Sequence, residues 1–200
     1  MTYAELQSNT QAWQRALKFA GLYKGQLDGI TGPLTREAAA QWATSHKQLQ
    51  ARYGRLDKRT EDNLLTLQPL AAIKVRQMMT ALRGLADWRL ICGIRTYAEQ
   101  DKLYAKRPKV TNARGGQSMH NFGIAADVCL FVDGKDIWTP SEGPTSIYKP
   151  VAALAHKLGL VWGGDWRSPY DPGHVQLGSI PTATLHHAYT TGTSTLAQLL

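Results

Sequence analysis

Cysteine is scarce: the two that are present, Cys92 and Cys129, lie far apart and make no metal or redox motif. Both fall in apolar runs, RLICGI and DVCLFV, that read as strands, and both are expected to be buried and reduced. No run of eighteen or more apolar residues occurs, which excludes a membrane-spanning helix. The first residues, MTYAELQSNTQAWQRALKFAG, lack a charged region followed by an apolar one, so no export signal is expected. Also missing is any basic helix or aromatic-rich basic stripe of the kind nucleic-acid binders use, and nucleic acid is not expected as a partner.

What is present is a folded composition, 43% hydrophobic and 19% charged with six Trp, carrying a net charge of +8. The charge is spread: residues 1–68 hold nine basic and six acidic residues, and residues 69–200 hold fourteen and nine. Such a distribution favours association with any polyanion without choosing one. A chain of 200 residues suits a minor domain joined to one of ordinary size.

The apolar spacing of Trp13, Ala16, Leu17 and Ala20 predicts a helix from about Thr10 to Ala20, stopped by Gly21. The turn-rich GLYKGQLDGITGP follows, and a second helix, PLTREAAAQWATSH, begins with proline in its first turn. A third, short helix is expected after Asp57. These three make a unit of residues 1–68.

Beyond Pro69 the pattern mixes helices and strands: a helix from about Leu70 to Leu82, the strand RLICGI, and a helix opened by a Thr96 and Glu99 capping box. Strand GIAADVCLFV turns at Asp133-Gly134 into a hairpin partner ending at Trp138. A helix from about Pro150 to Leu158 and the strands LVWGG and HVQL complete the pattern. Strands and helices do not alternate regularly, so the class expected is α+β with a small antiparallel sheet. Residues 69–182 form the expected catalytic domain, and residues 183–200 a C-terminal helix or tail.

The chemistry concentrates in SMHNFGIAADV and DPGHVQL. His120 precedes a strand, Asp127 lies on it seven residues later, and His174 opens another. A catalytic zinc needs three nitrogen or oxygen ligands on rigid elements and one open position, and these residues can supply it if the two strands are sheet neighbours. Strand alternation puts Cys129 on the side of Asp127, which would bring it near such a metal. His156, in a helix ending at Gly159, reads as a helix C-terminal cation.

The string from Ser118 to Asp127 resembles the signature of the D-alanyl-D-alanine carboxypeptidase and L-alanyl-D-glutamate endopeptidase family of zinc peptidases. Gly163-Gly164-Asp165-Trp166 and Asp171-Pro172-Gly173-His174-Val175-Gln176 are similar to its second half, particularly the phage endolysin branch. The resemblance implies that His120, Asp127 and His174 bind Zn2+ and that Asp171 is the general base. Many members carry glutamate where this chain has Asp171. Asp165 is the competing base, with a turn-capping role favoured for it. The resemblance further implies that Arg95 polarises the scissile carbonyl or grips a substrate carboxylate, and that Ser118 lines the substrate site.

Residues 13–43 resemble the three-helix peptidoglycan-binding domain attached to many wall hydrolases, through Gly25, Asp28-Gly29, Gly32 and Thr35. The expected protein is a monomeric, zinc-dependent peptidoglycan peptidase that waits in the host cytoplasm and reaches the wall at phage lysis. L-alanyl-D-glutamate is the bond expected to be cut. D-alanyl-D-alanine carboxypeptidase is the alternative, and a non-catalytic wall-binding zinc protein or a two-carboxylate lysozyme-type enzyme are the readings from other classes.

Overall fold

In the computed structural model, which describes residues 1–137 and 145–200, the first 68 residues form four helices. Helix α1 (Tyr3–Ser8) opens on a Thr2 and Glu5 capping box, and α2 (Thr10–Phe19) on Asn9, whose side chain accepts from the Ala12 N–H. After the glycine-rich turn come α3 (Pro33–Tyr53) and α4 (Lys58–Leu64), the latter capped by Asp57. The sequence reading expected three helices here. It missed α1, which is only six residues long, and ended α3 near His46, although no glycine or proline interrupts the chain before Gly54.

The fully buried Gln14 ties the glycine-rich turn together. Its Nε2 donates to Asp28 Oδ1 at 2.7 Å and to the Ile30 carbonyl at 3.0 Å, while its Oε1 accepts from Gly29 N–H at 2.9 Å. A buried amide with both ends satisfied fixes a loop that has little apolar surface of its own.

Helix α5 (Pro69–Arg83) is the central helix. It buries Ala71, Ala72, Val75, Arg76, Met78, Met79 and Leu82, too many directions for one amphipathic face, because it packs on α3, on α4, on β1 (Trp88–Cys92) and on α7 (Lys149–Lys157). Between β1 and α7 lie α6 (Tyr97–Ala105), β2 (Ala125–Val132) and β3 (Lys135–Ile137). After α7 come β4 (Val161–Trp162), β5 (His174–Gln176), α8 (Thr182–Thr191) and α9 (Leu196–Leu199). The sheet is antiparallel, in the order β1-β2-β5-β4, and β3 pairs with the far end of β2. Asp133 and Gly134 turn that hairpin with φ of 51° and 76°, the positive pair that a tight two-residue turn of this hand requires. The expected end of the hairpin at Trp138 lies outside the described residues.

One apolar core runs from Leu6 to Leu196 without a break at residue 68. Tyr189 of α8 packs edge-on against Phe19 of α2 at 5.5 Å and against Phe122, in the 3-10 turn Met119–Phe122, at 5.6 Å. Gln68 Nε2 donates to the Ala16 carbonyl, and its backbone N–H donates to the Gly123 carbonyl. Thus residues 1–68, the sheet and the last two helices bury one another, and the C-terminal segment is packed helix.

Candidate metal centre

Sheet register builds the centre. On β2, Asp127 is paired with His174 of β5 on one side and with Cys92 of β1 on the other, and directly opposed residues project to the same face. An irregularity between Leu90 and Cys92 sets that second pairing. His120 arrives from a 3-10 turn, Met119–Phe122, which ends at left-handed Gly123, where φ is 68°. Its carbonyl accepts from Arg95 N–H at 3.0 Å. Asn121 locks the turn: its Oδ1 accepts from the Gly116 and Ser118 N–H groups, and its Nδ2 donates to the Arg95 carbonyl.

Three donor atoms converge. His120 Nε2 and His174 Nδ1 each lie 3.1 Å from Asp127 Oδ1 and 3.3 Å from each other. The opposite ring nitrogens have fixed jobs. His120 Nδ1 donates to the Gly93 carbonyl at 2.7 Å, and His174 Nε2 donates to Gln176 Oε1 at 3.1 Å. Gln176 is itself oriented by its Nε2 donating to the Gly178 carbonyl at 2.8 Å. Both imidazoles therefore turn their remaining nitrogens to the point the carboxylate faces, and outer partners of this kind are how proteins set metal-binding histidines.

The spacing fits a metal ion. With bonds of about 2.0–2.1 Å, a tetrahedral zinc holds neighbouring donors about 3.3–3.4 Å apart, close to the three separations here. A single proton can bridge only one pair of these atoms, whereas a divalent cation serves all three.

Electrostatics points the same way. Burial disfavours charge on Asp127, but His120, His174 and Arg95 outweigh it and hold the carboxyl well below the usual range. Burial also opposes a charged His120, yet Asp127 beside it raises that imidazole to about 10, so without a metal a proton holds the place that a cation would take. Asp171 moves the other way: burial first, and then the Asp127 charge, raise its carboxyl above the ordinary range. It offers an oxygen within 4.8 Å of ligand atoms on Asp127 and His174. Two carboxylates in one site are thus driven apart, one held ionised and the other made ready to carry a proton.

Asp165 is elsewhere. Its Oδ2 accepts from His156 Nε2 at 2.7 Å on the exposed surface, which also accounts for His156. Arg95 reaches Asp127 Oδ2 with Nη2, Cys92 Sγ with Nε at 3.2 Å, and Gln100 Oε1 with Nη1 at 3.4 Å. Those contacts use three of its five N–H donors, and the other two have no partner among the described residues. Ser118 is half-buried two residues before His120. The indole of Trp166, also half-buried, stands 5.0 Å from the His174 ring and walls the site.

Both cysteines depart from expectation, and Cys92 is only half-buried. Cys129 does share a strand side with Asp127, but two residues along a strand is about 6.6 Å, and its thiol packs with Tyr148 and the Ile137 carbonyl instead. The cysteine at the centre is Cys92, grouped with His120 and Asp127 and with its sulfur 3.9 Å from His120 Nδ1. Burial opposes thiolate formation there, and the charge of His120 more than offsets it, so the Cys92 pKa is lowered. Sequence reasoning also gave no role to Gly93, Asn121 or Gln176. Only Gln176 carried a usable signal, its two-residue offset from His174 on one strand face.

A protein-family profile described as D-alanyl-D-alanine carboxypeptidase matches residues 111–177, the stretch that holds His120, Asp127, Asp171 and His174. The peptidoglycan L-alanyl-D-glutamate endopeptidase CwlK of Bacillus subtilis (strain 168) is 37% identical over 118 residues, 52% of this chain and 71% of that protein. Among solved structures, the L-Ala D-Glu endopeptidase ChiX of Serratia marcescens aligns with a TM-score of 0.48 and 26% identity, over 64% of this chain and 92% of that one.

Proposed function

The chain belongs to the D-alanyl-D-alanine carboxypeptidase family of peptidases and is a cell-wall peptidase, and from that premise we propose that it hydrolyses the L-alanyl-D-glutamate bond of peptidoglycan stem peptides with zinc. The observation that carries the zinc reading is the convergence of His120 Nε2, Asp127 Oδ1 and His174 Nδ1, with Gly93 and Gln176 holding both rings in the ligating orientation. The choice of bond is supported by the name of the Bacillus relative.

Zinc, when bound, supplies a Lewis acid for a carbonyl and brings the pKa of water towards neutrality. The chain does the rest. Asp171, its affinity for a proton raised, takes one from the attacking water and returns it to the nitrogen of the leaving amine. Arg95 keeps Asp127 oriented and ionised and turns its remaining donors to the substrate carbonyl or carboxylate. Ser118 and Trp166 line the cleft beside the two histidines.

Digestion of purified peptidoglycan followed by mass spectrometry tests this directly. The expected products carry new amino-terminal glutamate, form only with metal present, and return when zinc is restored after chelation. Release of free D-alanine would assign carboxypeptidase activity instead, and chelator-resistant release of sugar reducing ends would sink the peptidase reading.

Residues 1–68 are further proposed to hold the wall, supported by a shallow polar depression lined by Ser8, Asn9, Thr10, Gln11, Asp28 and Gly29. The setting proposed is phage lysis, with a monomeric enzyme released from the host cytoplasm.

A further inference from the structure

Between Lys102 and Arg114 the chain carries five cations, Lys102, Lys106, Arg107, Lys109 and Arg114, and no acidic residue. Arg107 is occupied with the C-terminal carbonyls of α6, donating to those of Tyr104, Ala105 and Lys106. The other four are different. Among the described residues none of them lies within ion-pair distance of a carboxylate. Lys109 Nζ and the Arg114 guanidinium both sit against the ring of Tyr104, at 4.9 and 4.8 Å from its centre. One aromatic ring thus gathers two like charges that would otherwise separate.

The segment is held in place. Buried Gln100 donates to the Ala113 carbonyl at 3.0 Å and to Thr111 Oγ1, and the one adjoining acid, Asp101, accepts from the Gly115 N–H at 2.8 Å. Gln100 also contacts Arg95, and Ser118 follows four residues after Arg114, so the end of α6 and the braced segment after it lead directly into the candidate metal centre.

We propose that Lys102, Lys106, Lys109 and Arg114, the last two gathered on the ring of Tyr104, form a docking surface for a flexible linear polyanion running beside the peptide that the site cleaves. Repeated charge is the feature they match. The isolated carboxylates of a short substrate would meet Arg95, whereas four cations spread along thirteen residues, without a carboxylate partner among the described residues, answer a chain whose charges recur every few ångströms. Counterions released from such a chain would supply the binding free energy and make it fall steeply with salt.

The test is equilibrium binding of fluorescently labelled long-chain polyphosphate to the zinc-loaded full chain across a salt series. It reads no turnover, so its failure and that of the peptidase reading are separate outcomes. Lys106→Gln, Lys109→Gln and Arg114→Gln together should weaken binding at least about ten-fold at low salt and reduce the slope of log affinity against log salt by about 2, the worth of three phosphate contacts to a single strand. All three side chains are exposed, so the fold and melting temperature should not change. The control, Lys24→Gln, Arg36→Gln and Lys47→Gln, removes the same charge from other exposed positions and should bind as the parent does. Equal loss in both triple variants, or loss in neither, would overturn the proposal, because net charge and not this surface would then govern. Poly-L-glutamate separates the sources: binding that depends on the same three residues marks a reader of charge density, and binding of polyphosphate alone marks a reader of phosphate.

Discussion

His46 is 2% exposed within α3, its ring tilted against Trp42 at 5.5 Å, and among the described residues neither ring nitrogen has a hydrogen-bond partner. Burial pushes its pKa down to about 4; the Leu67 backbone, near the ring but outside hydrogen-bond geometry, acts against it, Arg76 acts with it and Glu61 against it. Because the folded value lies below the unfolded one of about 6.5, the unfolded chain takes up the proton first as pH falls. The neutral ring's contribution is therefore complete above pH 6.5 and is lost between there and about pH 4. At about 1.36 kcal/mol per pH unit the limiting loss is about 3 kcal/mol, of which about 2 kcal/mol falls between pH 7 and pH 5. Other histidines titrate in that window, so the measurement must be a difference. Urea unfolding of the parent and of His46→Leu at pH 7 and pH 5 should show the parent losing about 2 kcal/mol more than the variant. Leucine suits the test because it fills the same apolar site without a titrating atom. Parallel loss in the two proteins would refute the reasoning, since it would mean that the ring is solvated or paired when the chain is folded.

Arg76 and Glu61 form a buried bidentate ion pair, at 2.9 and 2.6 Å, joining α5 to α4, and Arg76→Ala alone should cost about 3–5 kcal/mol in urea unfolding by stranding the carboxylate. The paired change Glu61→Leu with Arg76→Leu should cost clearly less. Gln176→Ala should weaken zinc binding about 10–100-fold in chelator competition while leaving the fold intact, because it frees the His174 ring that Gln176 orients. Unchanged affinity would remove Gln176 from the outer shell. Asp171→Asn should keep zinc content and melting temperature while turnover falls about 10²–10⁴-fold, with Asp165→Asn, bound to His156 on the surface, as the active control. A reversed pattern would exchange the two roles, and zinc loss from Asp171→Asn would make that residue a ligand.

The candidate metal residues could be picked out of the sequence because each stood in a short motif that resembles a known family, and because their types, imidazoles and a carboxylate flanking strands, suit a zinc site. Their mutual arrangement could not. Whether Asp127 faces Cys92 or leaves Cys129 as the nearer thiol depends on the β1 and β2 register, and that register slips between Leu90 and Cys92. A slip of this kind is settled by packing across the whole sheet, and nothing within RLICGI announces it. Arg95 shows the same limit. Its place between strand and helix was readable, but its grip on Asp127 arises from a contact across 32 residues.

The reading of residues 1–68 as a separate unit fails to foresee the continuous core for a related reason. Glycine and proline mark where the chain turns, and Pro69 does begin a helix. A turn is a local event, whereas a domain boundary is a surface that neither side needs to bury. Phe19 and Tyr189 are 170 positions apart, and each reads as an ordinary apolar residue on its own helix. Together they close one core that also contains Phe122, the residue two places after His120. The helices at both ends of the chain consequently support the turn that presents His120 to the candidate metal centre, and a fragment beginning at residue 69 would expose the face on which that turn rests.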